Sequence, residues 1–130
     1  MNTEAPLHDY LVLSRGHWDA DASKEAINTA IDQFYVWLNE NTEAGKMRSG
    51  SRLTTDRASV SKAGVITDAP LGEAKEVVGG YWFVTAPSLR EAAEFLSHSP
   101  TLQHGLHFEV RPLDPEKCTA FDITSETLPA

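Results

Sequence analysis

Apolar residues recur at helical spacing in the stretch that ends at Gly45. They fall at i, i+3, i+4, i+7 and i+11, which forms one stripe along a helix: Ile27, Ala30, Ile31, Phe34 and Leu38. Asp21 and Ser23 are both suitable residues to cap its start, and Gly45 is suited to end it. The pattern therefore predicts a long amphipathic helix.

A second helix is predicted after Pro87. Ser88 and Glu91 have the S-x-x-E spacing of a capping box, and the apolar stripe follows directly: Leu89, Ala92, Ala93 and Leu96. We expect Pro100 to stop this helix.

The remaining apolar residues favour strands. A β-prone run, YLVLS, precedes the first helix, and LHFEVRPL, which alternates cleanly, follows the second. Four strand-like segments lie between the helices as a meander: MRSGSRL, ASVS, GVITD and GYWFVT. The tripeptide KAG at 62–64 is predicted to be a hairpin turn.

This order of elements predicts an α+β fold, a ferredoxin-like two-layer sandwich with both helices on one face of an antiparallel sheet. The other face of the sheet would carry Trp or Tyr side chains from GYWFVT, so we expect a homodimer formed through that open face. We expect one folded domain over residues 1–113, and a largely irregular C-terminal extension over 114–130.

Charge and cysteine content limit the partners and the compartment. With 19 acidic against 11 basic residues the net charge is −8, which disfavours nucleic acid and anionic membranes as partners. The single cysteine, Cys118, cannot form an internal disulfide, and the first ten residues lack the pattern of a signal peptide. We therefore expect a cytoplasmic protein.

The stretch VITDAPLGEAKEVVGGYWFV, a capped helix and FEVRPL together resemble the YCII-related family over residues 10–113. The closest likeness is to the branch with the signature D-G-P-F-x-E-x-K-E-x-x-G-G-[YF]. Eight positions match this signature: Asp68, Pro70, Glu73, Lys75, Glu76, Gly79, Gly80 and Tyr81. Ala69 and Leu71 depart from it.

The resemblance implies a ferredoxin-like domain that dimerises through open sheet faces into a small barrel. Most members have no established activity, although one branch includes a dehydrochlorinase whose first helix carries an acid–base histidine. The equivalent position here is Phe34, and a phenyl ring cannot exchange protons, so that role is not carried over.

The turn-rich segment 68–80 supplies the first candidate ligand-binding residues. Asp68, Glu73 and Glu76 form a carboxylate cluster with Lys75 as its counter-charge. They border a cavity in the functional interpretation, and they brace a loop or face solvent in the structural one.

The final strand supplies the second group of candidates. Alternation places His107, Glu109 and Arg111 on the face opposite Leu106, Phe108 and Val110. The polar row can bind a small polar ligand, Arg111 being suited to a carboxylate, or it can form a cross-strand ion-pair ladder at the dimer interface. We expect Arg111 to border one cavity with Asp68.

Other chemistry has little support in the sequence. The five histidines show no helical metal spacing, and no glycine motif for phosphates or dinucleotides is present, so no metal or cofactor is expected. Ser14, His17 and Asp19 contain the residue types of a nucleophilic triad, but adjacency in sequence does not define one. Residues 46–62 hold five basic residues against Asp56, a net +4 that can guide an anionic ligand or meet an acidic surface.

Three classes of function stay open. The first is a homodimeric module that binds a small anionic or polar ligand or serves as an accessory protein. The second is a cofactor-independent enzyme, such as a lyase, isomerase or dehydrochlorinase, acting on a small polar or aromatic substrate. The third is a regulatory interaction protein, because relatives in the resembled family are often encoded near alternative sigma factors.

Overall fold

The computed structural model describes residues 6–67 and 77–129. Their elements run, in chain order, β1 His8–Arg15, α1 Lys24–Glu43, β2 Met47–Arg52, β3 Ala58–Ser61, β4 Gly64–Thr67, β5 Val78–Ala86, α2 Leu89–Leu96 and β6 His107–Pro112. Four strands form an antiparallel sheet in the order β2-β5-β1-β6. With two helices, this is the predicted α+β, ferredoxin-like sandwich.

Both helices pack on the same face of this sheet. Their buried residues belong to one core cluster with those of the strands: Tyr10, Val12, Leu38, Met47, Trp82, Val84, Ala86, Ala92 and Leu96. Partly buried aromatic side chains of both helices pack against the cluster, namely Phe34 and Trp37 of α1 and Phe95 of α2. Burial of this apolar surface is the main source of stability for the two layers.

The first helix begins and ends where the sequence indicates. The Ser23 hydroxyl accepts a hydrogen bond from the Ala26 amide at 3.1 Å, so Ser23 rather than Asp21 is the N-cap. Gly45 follows the last turn with a φ of 77°, a left-handed conformation that glycine adopts without strain.

The predicted Ser88 N-cap of the second helix, with Glu91 as its partner, is also confirmed. The Ser88 hydroxyl accepts from the Glu91 amide at 3.2 Å and donates to the Glu91 carboxylate at 2.9 Å. The predicted stop at Pro100 is wrong, because α2 ends at Leu96, with Ser97 as its cap. Pro100 instead begins a 3-10 turn over Pro100–His104, where its missing amide hydrogen is not needed.

The predicted meander is not a single sheet. β3 and β4 pair only with each other among the described strands, and their turn at 62–63 lies within the turn predicted at 62–64. Every residue of this ribbon is exposed, including Val60, Val65 and Ile66. The β3 sequence ASVS has one valine among small residues, which supplies too little apolar surface for a place in the core.

The face of the sheet away from the helices has an apolar centre. Leu11 lies opposite Phe83, and Leu13 opposite Tyr81. All four are half-buried, and the rings of Tyr81 and Phe83 meet edge to face at 6.1 Å. Trp82 points the other way, into the core. We call Leu11, Leu13, Tyr81 and Phe83 the open-face stripe.

Residues 113–129 continue from β6 as turns without helix or strand. Their local order comes from short-range hydrogen bonds, such as that from the Thr119 amide to Asp122 at 2.8 Å. Neither helix of the described chain has the length and apolar character needed to cross a membrane.

Candidate functional site

A cavity of about 560 Å³ lies between α1 and one end of the sheet. Its described walls come from α1, from the turn that follows β1 and from the adjoining ends of β2, β5 and β6. Aromatic and aliphatic side chains contribute much of the lining, among them Trp18, Ile31, Phe34, Tyr35, Trp82 and Phe108. The volume and the apolar lining are those of typical small-molecule sites.

The stripe of α1 explains why the helix can serve as one wall. Leu38 is buried in the core, whereas Phe34 and Ile31, one and two turns earlier, are only half-buried and line the cavity. Gly16, with a φ of 90°, turns the chain after β1 and brings His17 and Trp18 to the cavity.

Several polar side chains also belong to the lining. Hydroxyl groups come from residues such as Ser14, Ser49 and Thr101, and His17 adds an imidazole. Arg52 is the one described lining residue with a permanent charge, and it is exposed. None of the lining residues that the structure describes carries a carboxylate. The described walls thus offer hydrogen bonds and one cation.

Two glycines let the backbones of β2 and β5 form the cavity wall. A Cβ atom on Gly80 would lie 3.0 Å from the Ser51 carbonyl oxygen and 3.3 Å from the Arg52 Cα. A Cβ on Gly50, where the β2–β5 register shifts, would overlap the Tyr81 carbonyl oxygen. A Cβ atom on Gly79 would have no such neighbour within 4 Å. Close backbone approach therefore excludes a Cβ atom at 50 without a shift, makes position 80 tight, and leaves room at 79.

Phe34 and Trp82 meet inside the cavity lining. Their ring centroids are 5.2 Å apart in an edge-to-face arrangement, and Phe108 meets Trp82 from another side at 4.8 Å. Trp82 is only 5% exposed, and its indole Nε1 has no hydrogen-bond partner among the described residues. A buried N–H without an acceptor is uncommon in folded proteins.

A cluster of polar side chains, separate from the cavity lining, lies on the open sheet face. The Glu109 carboxylate accepts from Arg15 Nε at 2.6 Å and from Arg111 at 3.3 Å, and Arg111 also donates to Ser125 at 2.8 Å. Burial would raise the pKa of Glu109, but the hydrogen bond and charge of Arg15, with a smaller contribution from Arg111, hold it below its usual value.

Comparison with known proteins assigns this architecture. The YCII-related domain family matches residues 10–115. The chain belongs to this family. No curated protein matches the chain.

Phe34, the position predicted above to be equivalent to the acid–base histidine of another branch, lines the cavity. Its phenyl ring packs against Trp82, where it supplies apolar contact and no proton transfer.

The residues predicted from the turn-rich segment cannot be placed. Asp68, Glu73, Lys75 and Glu76 lie outside the described residues, as do the signature departures Ala69 and Leu71. Their roles stay predictions.

The row predicted on the final strand is placed on the open face. Phe108 and Val110 pack against the core, while Glu109 and Arg111 join the ion pairs described above. None of His107, Glu109 and Arg111 is among the described residues that line the cavity. The structure therefore brings Glu109 and Arg111 together, and a ligand role for this row stays a prediction.

The three candidate triad residues do not all belong to the described cavity lining. Ser14 and His17 line the cavity, but Asp19 is not among the described lining residues, and its amide donates to the His104 carbonyl at 2.7 Å. Within the described part of the chain, no three His, Cys, Asp or Glu side chains lie close enough to hold a metal ion.

Sequence reasoning missed Trp82 and Arg52 as site residues. Trp82 lies in an unbroken aromatic run, so its core-facing direction became clear only with the strand register. Arg52 was counted only as one charge of a basic segment.

Proposed function

We propose that this YCII-related domain is a cytoplasmic homodimer that binds a small, mainly apolar molecule in the cavity beneath α1 and has no chemistry of its own. The observation that carries the proposal is the 560 Å³ cavity lined largely by aromatic and aliphatic side chains. Burial of apolar ligand surface against such a lining supplies most of the affinity at sites of this kind.

The polar groups of the cavity favour binding over catalysis. General acid–base chemistry needs a side chain that exchanges protons near the operating pH, and Phe34 provides none. Among the described lining residues only His17 carries an imidazole, and no carboxylate belongs to the described lining. Hydroxyl groups and Arg52 are suited to orienting a ligand.

The open-face stripe supports the homodimer. Its four apolar side chains form a contiguous patch that water would otherwise contact. Ion pairs flank it on both sides: Asp9 with Arg48 at 2.8 Å, and Arg15 with Glu109 at 2.6 Å. An apolar centre with a polar rim is typical of a protein interface, and a two-fold axis would pair the stripe with itself. The exposed thiol of Cys118 is consistent with a reducing compartment.

The test is a titration of the labelled protein with ethylbenzene, followed by amide chemical shifts. We expect saturable shifts at residues that line the cavity. In Ile31→Trp the larger side chain would take up part of the cavity volume at its α1 wall, so binding should weaken. Val36→Trp is the matched control, because Val36 is on the same helix, 57% exposed and not among the described lining residues.

Two results would contradict the proposal. One is the absence of saturable shifts at the lining residues. The other is equal binding by the wild type and Ile31→Trp, which would place the ligand elsewhere.

A further inference from the structure

We propose that residues 113–129 of one subunit, which we call the tail, dock on the β3–β4 ribbon of a second copy of this chain. This inference rests on the proposed homodimer and adds a specific contact between its subunits. It starts from exposure. Among the described residues, the five most exposed large apolar side chains, at 67–97%, belong to these two elements: Phe121, Ile123 and Leu128 of the tail, and Val60 and Val65 of the ribbon.

The tail has a defined backbone that holds its apolar side chains in water. Turn hydrogen bonds order it, such as that from the Thr124 amide to the Thr127 hydroxyl at 2.8 Å. Arg111 donates to the Ser125 hydroxyl at 2.8 Å, which ties the tail to β6 on the open-face side of the sheet. An ordered segment that exposes several large apolar side chains is typical of an interaction surface.

The ribbon has too little packing of its own. Val60 lies opposite Val65, so both side chains share one face of the ribbon. The two strands pair only with each other among the described strands, and an isolated two-stranded hairpin is marginally stable in water. Apolar contact on the Val60–Val65 face would supply the packing that the ribbon lacks within one chain.

Charge selects the tail of another copy as the occupant. Residues 46–62, which lead into the ribbon and form its first strand, carry the net +4 noted above. The tail has four carboxylates against one lysine, a net −3: Asp114, Glu116, Asp122 and Glu126 against Lys117. A tail on a ribbon therefore brings opposite charges together, whereas two ribbons or two tails would repel each other.

The sheet keeps the two elements apart within one copy. β2 and β6 are its outer strands, and the antiparallel pairings through β5 and β1 make them run in opposite directions. The ribbon follows β2 and the tail follows β6, so the two elements start from diagonally opposite corners. If open faces pack together about a two-fold axis along the other diagonal, each ribbon meets the partner's tail. The contact then forms twice in a closed dimer.

The first experiment uses Cys118, which is exposed, lies in the tail and is the single cysteine of the chain. Wild-type protein carrying a nitroxide spin label on Cys118 is mixed with unlabelled Cys118→Ser protein enriched in ¹⁵N. Broadening of amide resonances then reports only proximity between copies. We expect the strongest broadening at Val60 and Val65, and none at Val36 on the exposed side of α1.

The second experiment measures the dimer dissociation constant by sedimentation velocity. The double variant Phe121→Ser, Ile123→Ser should raise this constant about tenfold, because two apolar contacts at each copy of the docking surface are lost. Val36→Ser is the matched control, since Val36 is 57% exposed and belongs to neither element. Both tail side chains are almost fully exposed within one subunit, so the double variant should fold normally, and circular dichroism checks this.

The outcomes separate the two proposals. Suppose the wild type dimerises, but the ribbon amides are not broadened or the double variant dimerises as tightly as the wild type. The tail contact is then overturned and the homodimer stands. Broadening confined to residues outside the ribbon has the same meaning. A wild type that is monomeric at all concentrations overturns both proposals.

Discussion

Arg15 on β1 and Glu109 on β6 form an ion pair of 2.6 Å across the open face of the sheet. They are diagonal neighbours, because Arg15 lies opposite His107 and Glu109 opposite Leu13. Their side chains are 22% and 35% exposed, so this pair is more sheltered than a typical surface ion pair. The ion pair lies beside the open-face stripe, because Glu109 is opposite Leu13, a member of that stripe.

The pair predicts a pH-dependent contribution to stability. The folded pKa of Glu109 is below the ordinary 4.5, so its contribution is present above that pH and is lost as the pH falls through the folded pKa. Glu109→Gln should therefore melt below the wild type at pH 7, and the difference should shrink as the pH falls below 4.5. Thermal unfolding from pH 7 to pH 3 measures this.

Glu94→Gln is the control for this series, because the Arg90–Glu94 pair is 87% and 61% exposed and should contribute little at any pH. A constant difference between Glu109→Gln and the wild type across the whole range would contradict the prediction.

The glycine pair of β5 should respond unequally to substitution. Gly80→Val should lower the free energy of unfolding by about 1–3 kcal/mol, because the added atoms press on the backbone of Ser51 and Arg52. Gly79→Ala should be neutral or slightly stabilising, since nothing lies within 4 Å of its Cβ position. Denaturant unfolding of both variants checks this, and equal effects would show that close approach at Gly80 is not the cause.

A charge in the open-face stripe should separate the proposed dimer. Phe83→Glu would place a carboxylate opposite Leu11, where it lacks hydration once a partner covers the face. Light scattering at micromolar concentration should give twice 14.3 kDa for the wild type and 14.3 kDa for the variant. Circular dichroism confirms that the variant folds.

Val36→Glu, on the exposed side of α1, should leave the dimer intact. A wild-type mass of 14.3 kDa at all concentrations would refute the homodimer, and a dimeric Phe83→Glu would place its interface elsewhere.

Arg52 should distinguish anionic from neutral ligands. Arg52→Gln is expected to weaken benzoate about threefold and to leave acetophenone unchanged, because an exposed charge acts through a screened interaction. Arg90→Gln, far along the chain on α2 and not among the described lining residues, should change neither. Equal weakening of both probes by Arg52→Gln would show a structural effect instead of charge recognition.

The sequence alone determined the elements whose signals are local. The stripe from Ile27 to Leu38, the Ser88 N-cap and the turn at 62–64 depend on contacts between near neighbours in the chain, and each is present. The family resemblance depends on side-chain types at fixed spacing, which is also local information, and the match to residues 10–115 confirms it.

Only the tertiary structure decided which residues share a site. Whether Trp82 faces the helices or the open side depends on a strand register set by pairing with β1, residues far away in sequence. The pairing of β1 with β6 brings Arg15 to Glu109, 94 positions later, on the face opposite the core. The cavity itself is the space left between α1 and the sheet. Its size follows from the packing of both layers, and no single segment of the chain encodes that packing.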